Sequence, residues 1–459
     1  MQSSQFKLIS FSLVIAAQFL MGAYVSAAAR VDEGVFVLDP SKTQLRQLAK
    51  DKTLTIDHVR DEGFEVYGPV GTIEKLQSAQ IPMIELEAVY GNMQSKSKGY
   101  PTHEQITARL RDIEIRCPSI MKLTSIGQSV EGRDLWVMKV SKDPTTDSSK
   151  PEVKYISSMH GDEITGRELL QNFLEDICGK YSKDPSVTEM VDNLEIYIMP
   201  SMNPDGSARP RRANARGYDL NRDFPDFEDR DSNTSDGRQI ETQHIMRFQA
   251  ERNFVLSANF HGGAEVVNYP WDTTRARHPE DSLMKEVSLL YAGLAPYLAS
   301  SNEFPRGITN GYDWYEVDGG MQDWSNYWYR DLQVTIELSN DKWPDYSMIP
   351  FYWEQNRAAL YAYLKRAMIG AGFNMNSSNK GSVKISKLLS HQDALSEVGV
   401  FPFEKGEFYK VLEEGRYRFD VSFEDKSLQE QSFVTEVKGL LPYESAKLNV
   451  KKISTRAKN

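Results

Sequence analysis

Positive charge is in short supply in this chain. Its 54 Lys and Arg stand against 65 Asp and Glu, for a net charge of −11. An acidic surface repels phosphate backbones, so no nucleic acid and no polyanionic substrate fits, whereas cationic peptides would be welcome partners. Cysteine is scarcer still: Cys117 and Cys178 are the only two, which limits the chain to one internal disulfide or two buried thiols. There is no internal repeat and no low-complexity tract. Beyond Ala23 no stretch is apolar enough to span a bilayer, so no membrane span is expected in the mature chain.

The one long apolar run, Leu8 to Ala23, follows Lys7 and gives way to Ser26-Ala27-Ala28-Ala29 and the charged Arg30-Val31-Asp32-Glu33. It is short for a transmembrane anchor and ends in small residues, so residues 1–29 read as a secretory signal peptide, and the mature protein is expected to be secreted or periplasmic.

What the chain does have is enough for a large core. Of 459 residues, 40% are hydrophobic and 26% charged, a globular composition whose length suggests two or three domains. Residues 30–93 read as a small α/β module, with strands at Val35 to Leu38, Thr53 to Val59 and Phe64 to Tyr67 and helices at Lys42 to Ala49 and Ile73 to Ser78. The polar stretch from Gly91 to Tyr100 reads as a linker. Residues 100–372 then alternate helices and strands. Thr102 and Gln105 cap a helix striped by Ile106, Leu110 and Ile113, and strands are expected at Leu123 to Ile126, Leu135 to Val140, Val153 to Ser158, Leu194 to Pro200, Phe254 to Phe260 and Leu332 to Leu338. Such alternation predicts an α/β domain with a mixed sheet covered by helices on both faces. After a second polar stretch, residues 381–459 show short alternating runs and read as a small β-sandwich.

Several polar motifs leave the ends of predicted strands, where open sheets place their ligands. In Met159-His160-Gly161-Asp162-Glu163 a His-x-x-Glu pair sits where a strand hands over to a helix, and on a first helical turn both side chains would project to one side and reach a single cation. His261 leaves the end of another buried strand and is the best third ligand. Two His and one Glu leave a fourth position open for water, as in catalytic rather than structural zinc sites. On its own the pair is weak: His58 and His278 each have Asp three residues on, which shows how cheap such spacings are. Context strengthens it. Asn221-Arg222 offers a fork for a carboxylate, and Glu337 is an acid inside an apolar strand, where a carboxylate seldom sits without a partner or a task.

Taken in order, these segments resemble the zinc carboxypeptidase family, and most closely its regulatory carboxypeptidase N/E-type branch. The resemblance covers roughly Tyr100 to Gly370 and rests on Gly127-Gln128-Ser129-Val130-Glu131-Gly132-Arg133, the His160 motif, Met202-Asn203-Pro204-Asp205-Gly206, Asp219 to Pro225, Phe260-His261-Gly262-Gly263 and Gly319-Gly320-Met321-Gln322-Asp323-Trp324. It implies a transthyretin-like β-sandwich for the C-terminal segment, where Gly415-Arg416-Tyr417 is similar to that domain's Gly-x-Tyr strand start. It also implies one Zn2+ per chain on His160, Glu163 and His261, with Glu337 as general base and then general acid. Arg212, placed by an Arg-x-Asn-Ala-x-Gly-x-Asp spacing, would stabilise the oxyanion. Asn221, Arg222 and Tyr315 would hold the substrate's C-terminal carboxylate. Asp272 would line the pocket of the departing residue and favour Lys or Arg, with Gln322 on the opposite wall. Cys117 and Cys178 match a cysteine pair of that branch and would be joined.

The expected function is therefore a zinc-dependent metallocarboxypeptidase that removes a C-terminal residue, Lys or Arg favoured, from peptides or proteins. The rivals are a same-fold zinc peptidase acting on cell-wall peptides and a catalytically silent binding protein on the same scaffold. The N-terminal module has no matched counterpart and could be an inhibitory prosegment, a folding aid or a permanent partner domain.

Overall fold

The computed structural model describes residues 30–375, 377–389, 394–438 and 449–454. The signal-peptide reading of residues 1–29 lies outside them.

The N-terminal module builds an antiparallel sheet from β1 (Glu33–Leu38), β2 (Thr55–Asp57), β3 (Gly63–Gly68) and β4 (Met83–Glu85), ordered β2-β3-β1-β4. Val35, Val37, Phe64, Val66 and Leu76 form its core. The module closes with a short helix, Leu86–Tyr90. The stretch from Gly91 to Tyr100 is not the open linker its polar composition suggests: Met93–Lys96 is a short helix capped by the Asn92 side chain, and Tyr100 is buried.

The central domain begins with the helix His103–Arg116. Its capping box pairs Thr102 with Gln105, and Ile106, Leu110 and Ile113 are its buried stripe. The sheet contains β5 (Met121–Gln128), β6 (Asp134–Val140), β7 (Glu152–Ser157), β8 (Glu195–Met199), β9 (Phe254–His261), β10 (Glu265–Tyr269), β11 (Ile308–Asn310) and β12 (Leu332–Leu338), in the order β11-β10-β12-β9-β7-β8-β6-β5. The four central strands are mutually parallel. Side chains alternate between faces as the strand period requires. Ile196 and Ile198 join a core with Leu169, Phe173, Tyr291 and Tyr363, while Tyr197 and Met199 join another with Ile245, Phe248, Met321 and Trp324. Helices Thr165–Lys180, Asp281–Gly293 and Ile349–Arg366 cover the first face, and Ile240–Ala250 and Met321–Tyr329 the second.

Cys117, at the end of the first helix, is joined to Cys178 with a Cα separation of 5.8 Å, tying that helix to Thr165–Lys180.

The C-terminal domain starts earlier than its composition indicates. Gly370–Asn374, read from sequence as the end of the central domain running into a linker, is β13. It pairs with β16 (Glu407–Val411) and β19 (Asn449–Lys452). A Cβ on Gly370 or Gly372 would lie 2.2 Å from the Lys410 carbonyl or 2.1 Å from that of Phe408, so close backbone approach requires glycine there. This sheet faces a second one, β15-β14-β17-β18, made of β14 (Gly381–Leu388), β15 (Leu395–Phe403), β17 (Gly415–Phe423) and β18 (Gln431–Val437). Phe373, Phe403, Phe408, Phe419 and Phe433 interdigitate between them. The sandwich core runs without a break into the central domain through Ile369, Ala371 and Val411.

Candidate active site

The C-terminal ends of the parallel strands converge on one cleft. His160 and Glu163 follow β7, but in the turn ahead of the helix Thr165–Lys180 rather than in its first turn. The Glu163 amide donates to the His160 carbonyl at 3.2 Å, which gives the two side chains the same convergence that a helical turn would. His261 closes β9, and the parallel register sets Glu337 of β12 directly beside it.

The donor atoms of the three sequence-predicted ligands lie together. Nδ1 of His160 is 3.0 Å from Oε1 of Glu163, Nδ1 of His261 is 2.9 Å from Oε2 of the same carboxylate, and the two Nδ1 atoms are 3.1 Å apart. Three buried groups with two nitrogen and one carboxylate donor, turned toward a common point, fit a zinc ion and leave a position free. The outward ring nitrogens are also held. Nε2 of His160 faces Asp219 at 3.1 Å and Nε2 of His261 faces the Asn259 amide at 2.7 Å, which fixes each ring's orientation. Burial would raise the Asp219 carboxyl, but the Arg212 guanidinium and His160 hold it well below the usual carboxylate range.

Arg212 reaches the same point. Its Nη1 is 3.2 Å from Nδ1 of His160 and 3.5 Å from Glu163, and Asp219 anchors its Nε at 2.9 Å. The adjacent Arg211 is exposed and takes no part. Burial pushes the Glu337 carboxyl upward, with His58 and His261 opposing.

Beyond the metal-ligand cluster lies a buried polar cluster. Asp272 is buried, and its Oδ1 accepts from the amides of Asn268 at 2.9 Å and Gln322 at 3.0 Å. Burial pushes it up to about 7, against the Asn268 hydrogen bond and the Arg222 charge. Asn221 accepts from the Met321 amide at 3.0 Å, at the mouth of the same loop. The three candidate metal ligands, Glu337 and Arg212 thus lie together, with Asn221, Asp272 and Gln322 beside them.

The sequence reading missed what faces them. Asp57 and His58, at the end of β2, project from the N-terminal module into the cleft. Asp57 accepts from Arg212 and, at 2.7 Å, from the Tyr315 hydroxyl. Arg222 donates to the Ile56 carbonyl at 2.9 Å. Behind them Lys342, fully buried, holds Glu65 at 2.7 Å. The signal was available: Asp57-His58 interrupts an apolar strand just as Glu337 does, and that argument applies equally to both.

Comparison with known proteins agrees with this geometry. The Peptidase_M14 zinc carboxypeptidase family model matches residues 106–359. The chain is 36% identical to mouse carboxypeptidase M over 352 residues, covering 70% of this chain and 78% of that protein. It is 33% identical to Caenorhabditis elegans carboxypeptidase E over 400 residues, covering 74% and 84%. With human carboxypeptidase D it shares 37% identity over 341 residues, 68% of this chain but only 24% of that longer protein, so the match spans about a quarter of the carboxypeptidase D length. Among solved structures, Helicoverpa armigera carboxypeptidase A superposes with a TM-score of 0.57 at 17% identity, covering 73% of this chain and 97% of that one, a likeness of fold. Thrombin activatable fibrinolysis inhibitor gives 0.56 at 17%, covering 73% and 98%. With more than half of its length matched by the family model, and with the donor set of a zinc site in its cleft, the chain belongs to the zinc carboxypeptidase family.

Proposed function

We propose that this chain is a zinc-dependent metallocarboxypeptidase that hydrolyses the C-terminal residue, preferentially Lys or Arg, from peptides and proteins. His160, Glu163 and His261 would hold the metal. The observation that carries the reading is a buried carboxylate, Asp272, beside the carboxylate fork: a Cβ on Gly320 would lie 3.9 Å from Oδ2 of Asp272 and 3.7 Å from Oδ1 of Asn221, next to Arg222. A C-terminal Lys or Arg presents the matching pair, a carboxylate and a side-chain cation. An interior peptide bond lacks the carboxylate, which restricts cleavage to the chain end.

Bound zinc supplies Lewis acidity and lowers the pKa of water to roughly 7. Glu337, beside His261, takes the proton from the attacking water. Its raised pKa makes it able to hold that proton and then deliver it to the departing amine. Arg212, aligned by Asp219, offers a guanidinium where negative charge develops on the scissile carbonyl oxygen. Arg222, Asn221 and Tyr315 orient the terminal carboxylate, and Asp272, with Gln322 beside it, receives the basic side chain. Export through residues 1–29, a secreted or periplasmic location and a transthyretin-like C-terminal domain belong to the same reading. They are supported by the apolar leader, the disulfide and the two facing sheets.

The test uses zinc-loaded protein, intact and after limited trypsin cleavage at the exposed Lys98, because Asp57 and Ile56 occupy Arg212, Tyr315 and Arg222 in the intact fold. Peptides ending in Arg, Lys, Phe, Glu or Ala, C-terminally amidated versions and a peptidoglycan stem peptide are incubated with and without chelator. Stepwise loss of Arg or Lys from free C-termini only, abolished by chelator, is expected. Equal cleavage of amidated peptides, or faster release of Phe, would refute the assignment.

A further inference from the structure

His58 stands at the end of β2 with φ +41°, a left-handed conformation uncommon for a residue with a side chain and kept only where the surroundings enforce it. That bend aims the imidazole into the cleft. Its Nε2 lies 4.0 Å from Oε1 of Glu163 and 3.9 Å from Oε2 of Glu337, between a metal-binding carboxylate and the proposed base, where the attacking water would have to sit. Its Nδ1 points the other way, 3.1 Å from Asp57 and 3.4 Å from Glu65. That sets one ring nitrogen toward the ligand cluster and the other near carboxylates, the arrangement metal-ligating histidines favour; His160 makes a hydrogen bond to Asp219 there, while the His58 Nδ1 is close to Asp57 and Glu65 without one. Space for the ring is built in. A Cβ on Gly263, just after the ligand His261, would lie 2.4 Å from the His58 Nε2.

The module that carries His58 is anchored on all sides of the cleft. Besides the contacts of Asp57 and Ile56, the Trp314 indole donates to the Val59 carbonyl at 2.7 Å and Arg60 donates to the Gly263 carbonyl at 2.6 Å. The ring is therefore held in place rather than free to swing out.

We propose that His58 is a fourth protein ligand of the metal, so that the N-terminal module, residues 30–93, latches onto the site through the metal itself. This rests on the reading of His160, Glu163 and His261 as the metal site. Three protein ligands with an open position make a catalytic zinc site and four protein ligands make a closed one. With His58 in the open position, water and substrate are excluded until the module moves away.

The test is zinc X-ray absorption on the intact, full-length chain carrying one zinc, which counts imidazoles directly. Three are expected in the parent and two in His58→Ala and in the bulkier His58→Gln. Zinc transfer to a chelator should be faster in either variant, by more than the roughly 10–100-fold that loss of an outer-shell partner costs. Two imidazoles in the parent, with zinc lost on His160→Ala or His261→Ala, would overturn the latch and leave the metal site standing. Zinc retained in full by both of those variants would overturn the metal site and the latch together. The parent spectrum decides even if a variant fails to fold.

Discussion

Replacing Asp272 by Asn keeps an acceptor for Asn268 and Gln322 and removes the charge. In the folded protein burial moves this carboxyl from 3.8 to about 7. A shift of about three units is about 4 kcal/mol of penalty on the ionised form, at 1.36 kcal/mol per unit. An ammonium or guanidinium entering the pocket offsets that penalty, whereas Phe or Ala side chains do not. Loss of one partner of such a buried pair costs about 2–5 kcal/mol, so kcat/KM for Arg and Lys substrates should fall by about 30- to several-thousand-fold, and for Phe or Ala by only a few-fold. The parent enzyme carries the same information in its pH dependence. Only the ionised form attracts a cation, so the ratio of kcat/KM for Arg over Ala should climb as pH rises toward about 7 and level off above it. Stability should move the other way. The folded-state pKa is raised, so the favourable contribution is present below 3.8 and lost as pH rises through about 7. Asp272→Asn should therefore melt above the parent near about pH 8, with the gap closing toward about pH 5. Steady-state kinetics on paired peptides with the Lys98-cleaved enzymes from about pH 5.5 to 8.5, and thermal melts of the intact chains at both ends, provide the readouts. An Arg over Ala ratio flat across that range, or equal losses on all substrates in the variant, would refute Asp272 as the selector.

Glu337→Gln keeps the shape and loses the proton acceptor, so turnover should fall by about 10²–10⁴-fold while zinc stays near one per chain; turnover within twofold of the parent would return Glu337 to a structural role. Replacing both Cys117 and Cys178 by Ala opens a link across 61 residues, and denaturant unfolding should show a loss of about 2–4 kcal/mol; an unchanged midpoint in oxidised protein would contradict this. Lys154 is buried in the central sheet against Asp331 and within 3.1 Å of the Ser257 hydroxyl. Lys154→Met would strand the Asp331 carboxylate and should cost about 3–5 kcal/mol in the same measurement, with Asp331→Asn in the Met background recovering part of it.

Much of the fold could be read in advance because its strands obey simple local rules. Leu332–Leu338 alternates apolar Leu332, Val334, Ile336 and Leu338 with Gln333, Thr335 and Glu337, the period of a strand, and Thr102 with Gln105 marks a helix start that backbone hydrogen bonding requires. Where reading failed, non-local packing overrode local composition. Gly370–Asn374 straddles the expected end of the central domain at residue 372 and the polar stretch that follows, yet it is a strand whose Gly370 and Gly372 admit the Lys410 and Phe408 carbonyls of its neighbour. The stretch from Gly91 to Tyr100 is polar, yet it holds the Asn92-capped helix Met93–Lys96 and ends in Tyr100, which packs edge-on against Trp343 of the central domain.

For the site, the sequence by itself supplied the residue types of the proposed chemistry. Two His and a Glu at 160, 163 and 261 suit a small cation and Glu337 suits a base, and all four sit at the carboxyl ends of strands, where open sheets place their ligands. Only the tertiary structure decided what faces that chemistry. The register of β9 against β12 sets Glu337 beside His261, and the docking of the N-terminal module sets Asp57 on Arg212 and His58 between Glu163 and Glu337. His58 lies 102 residues before His160, and no local pattern links them, because the contact depends on how two separately built sheets pack together.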